Sequence, residues 1–460
     1  MGGSLNPYRL VHLIASPMPE QPNLNRSLPF ISRRTALLHS SGLFAGAVAS
    51  SSFSLTAQAQ FRVDISGVGG TQMPIALPDF RDEARAGQPV AAIIRSNLER
   101  SGQFRIIDAP AGMFEASQPV WSEWRARNAD ALAAGSAARL ADGRVDLRYK
   151  LWDVVKGQDL GGEAHAVAPE DVRLGAHRIS DTIYQKLTGE RGIFATRMAY
   201  VTKAGGRYSL RITDADGEGG QVALASPDPI ISPAWSPNGK ELAYVSFESR
   251  KAVVWIQDVQ TGRRRVLADF RGTNSAPAFS PDGQQVALTL SREGGSQLFI
   301  MNRDGSGLRR LTQSSAIDTE SVFSPDGRSI YFVSDRGGGP QIYRMAVSGG
   351  AAERVTFSGA YNISPTISPD GRTMAFITRL GGNSFRLCVM DLGSGAVQQI
   401  SDGNDDESPS FAPNGRLLVY ASRAGGKDVL MTSTLDGKIK AKLISTLADV
   451  REPTWGPFGR

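Results

Sequence analysis

A chain of 460 residues exceeds what one ordinary hydrophobic core accommodates, so at least two domains are expected. Its 41% hydrophobic and 21% charged content is that of a globular protein, and 50 glycines and 25 prolines imply many tight turns. The formal charge of +6 falls to +3 without residues 1–59, which contain four arginines and one glutamate; that excludes the basic field of a nucleic-acid binder. Cys388 is the single cysteine, which excludes an intrachain disulfide and a cysteine zinc cluster. In the apolar run Leu387-Cys388-Val389-Met390 it reads as a buried structural thiol.

In chain order, the first element is an export signal. Arg33-Arg34 forms a basic start, Leu37 to Leu55 a mildly apolar stretch, and Ala57-Gln58-Ala59 a cleavage signal, so residues 1–59 are expected to be removed after Ala59. The paired arginines fit a twin-arginine route as well as the general secretory one. Gly42, Gly46 and Ser50-Ser51-Ser52 make the stretch too polar for a good membrane anchor.

Residues 60–190 mix helix and strand signals and are read as a small α/β domain. Phe61 to Ile65 alternates as a strand, Pro74 to Phe80 is extended, and Gln88–Arg100 carries Val90, Ile93, Ile94 and Leu98 on one helical side. Arg148–Val155 reads as a strand. Pro169–Leu187 reads as a helix, with Pro169, Glu170 and Asp171 suiting its start and Gly189 its end. Gly189–Gly192 is expected to be the hinge to the second domain.

Residues 191–460 contain a repeat. Ser-Pro-Asp-Gly or a close variant recurs with its proline at positions 237, 281, 325, 369, 413 and 457, a constant step of 44. A period of that length with strand-rich content is the signature of four-stranded propeller blades. Proline presets φ, Asp or Asn tolerates the turn conformations and glycine accepts positive φ, so each copy marks a hairpin. An aliphatic strand such as Ile330-Tyr-Phe-Val-Ser334 follows each of the first five turns, and a further copy, Met198-Ala-Tyr-Val-Thr202, precedes the first, so this strand occurs six times. The first blade lacks an inner strand, and the chain ends on a spare one, Glu452 to Phe458. The reading is a two-domain α+β protein whose six-bladed β-propeller is closed by the C-terminal strand, hiding the open sheet edges.

Chemistry-bearing groups are sparse. Of four histidines only His165 and His177 lie beyond residue 59, and no G-x-S-x-G elbow occurs, so no catalytic site, metal site or cofactor is expected. His177 reads as a packing or surface residue. The propeller mouth opposite the turns carries mostly polar loops, which include Thr273, Asn274, Ala276, Asp318, Thr319, Glu320 and Asn362, together with Arg292, Arg336, Arg379 and Arg423. Their recurrence at equivalent blade positions favours a protein-binding face over a merely solvated one. Weak calcium binding by the carboxylates stays open, without a complete ligand loop.

Over nearly the whole chain after residue 59 the sequence resembles the TolB family. The matching stretches are Phe61 to Gly67, Ala176 to Gly189, Gly192 to Val201 and the Ser-Pro-Asp-Gly repeats. The resemblance implies a monomeric periplasmic protein of the Tol-Pal system, not an enzyme. It would link TolA to the peptidoglycan-associated lipoprotein Pal, supporting outer-membrane integrity and invagination during division. It further implies that the mature start, Gln60, Phe61, Arg62, Val63, Asp64, Ile65, Ser66 and Gly67, engages TolA. Pal would dock at Thr273, Asn274, Ala276, Thr319 and Glu320; the family often has histidine where Thr273 stands. The competing class is a periplasmic propeller hydrolase or lectin.

Overall fold

The structure, a computed structural model, describes residues 64–66, 72–379, 384–443 and 449–459. The expected signal at 1–59 and the partner-segment residues Gln60, Phe61, Arg62, Val63 and Gly67 lie outside the described residues.

The small domain comes after a short strand β1 (Asp64–Ser66) and runs β2 (Met73–Ala76), α1 (Val90–Arg100), β3 (Phe104–Ile107), α2 (Trp121–Ala126), β4 (Ala131–Arg139), β5 (Val145–Asp153), β6 (Gln158–Val167) and α3 (Val172–Thr188). Strands β2 to β6 form one sheet in the order β3-β2-β4-β5-β6, with β2 parallel to β3 and β4 and the rest antiparallel. Helix α1 begins at Val90 because Pro89, in a non-helical conformation, precedes it. Pro169–Asp171 makes a 3-10 turn leading into α3, and Gly189, at φ 77°, ends that helix by donating its N–H to Gln185 O.

Strand β4 carries no recognisable strand pattern in its sequence. Its alanines are small because both sheet faces are covered: α1 and α3 pack on Ala133 and Ala137, while Trp124 and Trp152 pack around Leu132 and Ala134. A Cβ on Gly135 would sit 2.2 Å from Arg148 O and 2.5 Å from the Phe80 ring, so only glycine fits there.

The propeller has six blades among the described residues. Blade one uses Arg197–Ala204, Arg207–Asp214 and Gln221–Ser226 and takes its inner strand from the C-terminus, Asp449–Trp455. That pairing runs from Asp449 against Lys203 to Trp455 against Met198, so the ring closes as the repeat requires. Trp455 locks the seam by donating its indole N–H to Thr196 Oγ1 at 2.9 Å. Blades two to six begin with the inner strands Ile230–Trp235, Asn274–Phe279, Asp318–Phe323, Asn362–Ile367 and Asn404–Phe411. The outer strands are short, two residues each at Arg309–Arg310 and Glu353–Arg354. Blade six alone has five strands, because β1 lies antiparallel on its edge with Asp64 opposite Lys442 and Ser66 opposite Lys440.

The recurrent turns form a collar on one face. In blade three Ser280 Oγ donates to Asp282 Oδ1, which accepts from Gln284 N, while Gly283 takes φ 70° against Pro237 of the preceding blade. The same turn residues therefore also make contact with the preceding blade.

The linker between the domains is bolted down rather than hinged. Asp181 accepts the N–H groups of Phe194 and Ala195 at 2.6 and 3.1 Å, and the fully buried Phe194 ring packs edge-on against Tyr184. Glu190 pairs with Arg416 of blade six, and a Cβ on Gly192 would collide with Asp181. One apolar core consequently runs from Ile94 and Ile183 through Phe194 to Leu417 and Trp455.

Candidate functional site

Each blade contributes one residue to the lining of the axial channel at the 44-residue step, Ser232, Ala276, Glu320, Ser364, Ser408 and Glu452, with neighbouring prolines and serines completing it. All six take positive φ, between 48° and 53°, at a β-bulge in the inner strand. Non-glycine residues rarely adopt this conformation, and its recurrence around the ring turns each side chain into a cavity of about 170 Å³.

Two channel carboxylates bridge neighbouring blades. Glu320 Oε2 accepts from Ser364 N at 2.7 Å and Ser364 Oγ at 3.1 Å; Glu452 Oε2 accepts from Ser232 N at 3.2 Å. Three repeat steps apart, they belong to opposite blades. Burial pushes the Glu452 carboxyl up to about 7, with the charge of Glu320 adding to it. Burial and the charge of Glu452 push the neighbouring Glu407 up to about 8.

Of the residues expected to meet a partner at the mouth, Ala276 and Glu320 therefore line the channel instead of the rim. Thr273, Asn274 and Thr319 are enclosed, at 7%, 0% and 1% exposure. Asn274 donates to Ala252 O, Phe270 O and Gly272 O and accepts from Phe270 N, stapling the loop that enters blade three. The equivalent residues do the same work elsewhere. Asp318 accepts from Arg336 and Ser314, Asn362 donates to Gln341 and Ser358, and Asp406 accepts from Ser401, Ser422 and Leu387 N. The recurrence of polar residues at the mouth is in this way a requirement of the fold, met by buried hydrogen bonds.

The rim itself carries arginines laid on aromatic rings. Arg292 lies 4.8 Å from the Phe270 centroid, Arg336 5.0 Å from that of Tyr343 and Arg379 5.3 Å from that of Tyr361. Beside them Phe357 is 75% exposed, with Arg354 stacked against it at 5.4 Å. Nothing in the repeat pattern announces Phe357; only its place between an outer strand and the next inner strand could have pointed to it. Away from the mouth, Cys388 is buried and its thiol pushed up to about 12, the inert state expected of it. His165 lies on β6 with its Nε2 2.9 Å from Glu163, and His177 is fully enclosed between the domains.

A small α/β domain fused to a six-bladed propeller with a lined axial channel defines the class. Two family models match in that order: the TolB amino-terminal domain over residues 61–160 and the TolB β-propeller domain over 184–459. The chain belongs to the TolB family. The Tol-Pal system protein TolB of Polaromonas naphthalenivorans is 59% identical over 249 residues, 54% of this chain and 56% of that protein. That of Bordetella pertussis is 52% identical over 221 residues, 48% of this chain and 50% of that one. The matched stretch thus spans about half the length of these curated relatives. The crystal structure of TolB from Acinetobacter baumannii superposes with a TM-score of 0.79 at 37% identity, covering 87% of this chain and all of that one.

Proposed function

We propose that the chain is a periplasmic, non-enzymatic protein-binding component of the Tol-Pal system that links TolA to the lipoprotein Pal. The propeller mouth receives Pal, and the segment Gln60 to Gly67 engages TolA. In this role the protein supports outer-membrane integrity and invagination during division, and it works as a monomer.

The observation that carries the reading is the rim around Phe357. An exposed aromatic flanked by flattened guanidinium groups is the composition of binding hot spots, here in a chain whose relatives are named for the Tol-Pal system. Enclosed residues such as Thr273, Asn274 and Thr319 serve the partner by fixing the loops, while Ala276 and Glu320 shape the channel entrance. The N-terminal segment suits a peptide-like contact because its described part, β1, is a three-residue edge strand.

Calorimetry with the soluble domain of Pal tests the mouth. The pair of changes Phe357→Ser and Arg379→Glu is expected to weaken binding at least about tenfold with the melting curve unchanged, since a hot-spot side chain is worth about 2 kcal/mol or more. Equal affinity in the folded variant rejects the mouth as the docking face. Removing residues 60–67 is expected to abolish TolA binding and leave the Pal domain bound.

A further inference from the structure

Neighbouring blades are clamped together at a fixed repeat position, and one junction lacks the clamp. From four outer strands a side chain donates to a backbone carbonyl of the next blade: Gln221 to Val259 O, Arg265 to Arg303 O, Arg309 to Val347 O and Gln398 to Asp436 O, at 3.3, 2.6, 2.7 and 3.2 Å. Between blades four and five the residue in this series is Glu353. Its counterpart carbonyl is that of Leu392, because Leu392 donates its N–H to Arg372 O as Val347 does to Arg328 O one blade earlier. A carboxylate has no N–H to give, so Glu353 cannot make this bond.

The residue opposite Glu353 in the strand pairing differs as well. Gln221, Arg265, Arg309 and Gln398 lie opposite Ile212, Ile256, Ile300 and Val389, which are buried and fill the space between blades. Opposite Glu353 stands Arg344, which is exposed. With filler and clamp both replaced, the junction opens into a groove of about 830 Å³ beside the turn collar. That volume lies within the range of about 300–1,000 Å³ typical of ligand sites.

The lining suits a long basic side chain. Tyr331, Val355 and Leu392 offer apolar surface to an alkyl stem. Glu353 and the Leu392 carbonyl both accept, so the donor has to come from outside. Three further carboxylates line the groove, each with an arginine nearby: Arg328 and Arg344 by Asp326, and Arg372 by Asp370 and Asp391. Arg344 turns its guanidinium to Ser329 Oγ, at 3.1 and 3.0 Å, and Arg354 turns to Thr356 O and the Phe357 ring. Glu353 is thereby left for an incoming cation.

We propose that the groove between blades four and five is a second protein-binding site, which takes an extended segment of a partner through a lysine or arginine side chain that supplies the missing donor. The stem packs on Tyr331 and Leu392, and the cation meets Glu353 and the Leu392 carbonyl. The groove opens on the turn side of the propeller, so this site stands or falls independently of the mouth.

Methyl NMR on the chain prepared without residues 1–59 reads the groove through Val355, Ile367 and Leu392, with Val286 and Leu288 of blade three as controls. The probe is the blocked peptide acetyl-Ala-Lys-Ala-Lys-Ala-amide, beside analogues with glutamine or glutamate in place of lysine. The lysine peptide is expected to shift the groove methyls saturably at concentrations up to roughly 10 mM, and the glutamine analogue to bind at least about fivefold more weakly. Glu353→Gln restores the kind of donor that Gln221 and Gln398 supply at their junctions, and is expected to lose the response without a fall in melting temperature. Groove methyls that do not respond to the lysine peptide overturn the site. So does equal binding of the glutamine analogue, or tighter binding of the glutamate one, which would assign the groove to an anion. A wild-type response in Glu353→Gln overturns it too. Should Glu353→Gln not fold, Glu353→Ala decides: it removes the charge and leaves the groove open, so lost binding supports the site and retained binding rejects it.

Discussion

The two faces of the propeller are built from one 44-residue repeat but are held in different ways. On the turn face blades two to six are each closed by bonds within five residues, such as Ser280 to Asp282 and Gln285, and by a glycine against the preceding proline. On the mouth face the corresponding polar residues reach as far as 22 residues along the chain, as Asn274 does to Ala252 O. A local turn fails locally, whereas a long-range staple joins separate strands. Polar recurrence at a mouth is thus no sign of a ligand until the buried partners have been counted.

That contrast can be broken most severely at the ring seam, which both faces share. Deleting 452–459 removes the inner strand of blade one with Trp455 and the Glu452 bridge to Ser232. It is expected to lower the melting temperature by at least about 10 °C, several kcal/mol at this size, or to prevent folding. An unchanged melting curve would show that the ring does not depend on its C-terminal strand.

The next largest effect should separate the faces. Asn274→Ala leaves three backbone carbonyls and one N–H without their bonds, for an expected loss of about 2–4 kcal/mol in denaturant unfolding. Ser280→Ala on the turn face should cost about 1 kcal/mol, because the turn keeps its proline and glycine. Equal losses would erase the distinction.

A smaller effect depends on pH. Glu407 and Glu452 have folded values of about 8 and about 7 against an ordinary 4.5, so the folded state binds their protons more tightly than the unfolded chain. The stability they contribute is complete below pH 4.5 and declines as pH rises through 7 and 8. Between about pH 5 and 8 wild type is expected to lose on the order of 1–3 kcal/mol, and Glu407→Gln to lose less. A variant whose pH profile matches that of wild type would remove Glu407 from the account.

The blades could be read from the sequence because their determinants are local: six prolines in register, turn glycines after them and an aliphatic strand after each of the first five turns. Ring closure came from counting strands. The small domain was only partly legible. Helix α3 advertised itself through Pro169 and Gly189, while β4 was hidden because a strand covered on both faces needs alanine and glycine at positions such as Ala133 and Gly135 instead of alternation. At the candidate site the sequence located the mouth loops but could not tell an enclosed Asn274 from an exposed Phe357, since that depends on which neighbouring loop closes over each. The hinge expected at Gly189–Gly192 fails for the same reason. Its glycines suggest freedom, and the carboxylate that restrains the linker lies eight residues earlier, at Asp181.

The claim on which the functional account rests is that the mouth, and not the turn collar, meets the partner. A hydrogen-exchange footprint of the soluble Pal domain on the chain prepared without residues 1–59 tests it most directly. Protection is predicted in the mouth loops 269–273, 313–317 and 357–361, with 281–284 and 325–328 on the turn face unchanged. Protection confined to the turn face, or none anywhere on the propeller at saturating partner, would contradict it.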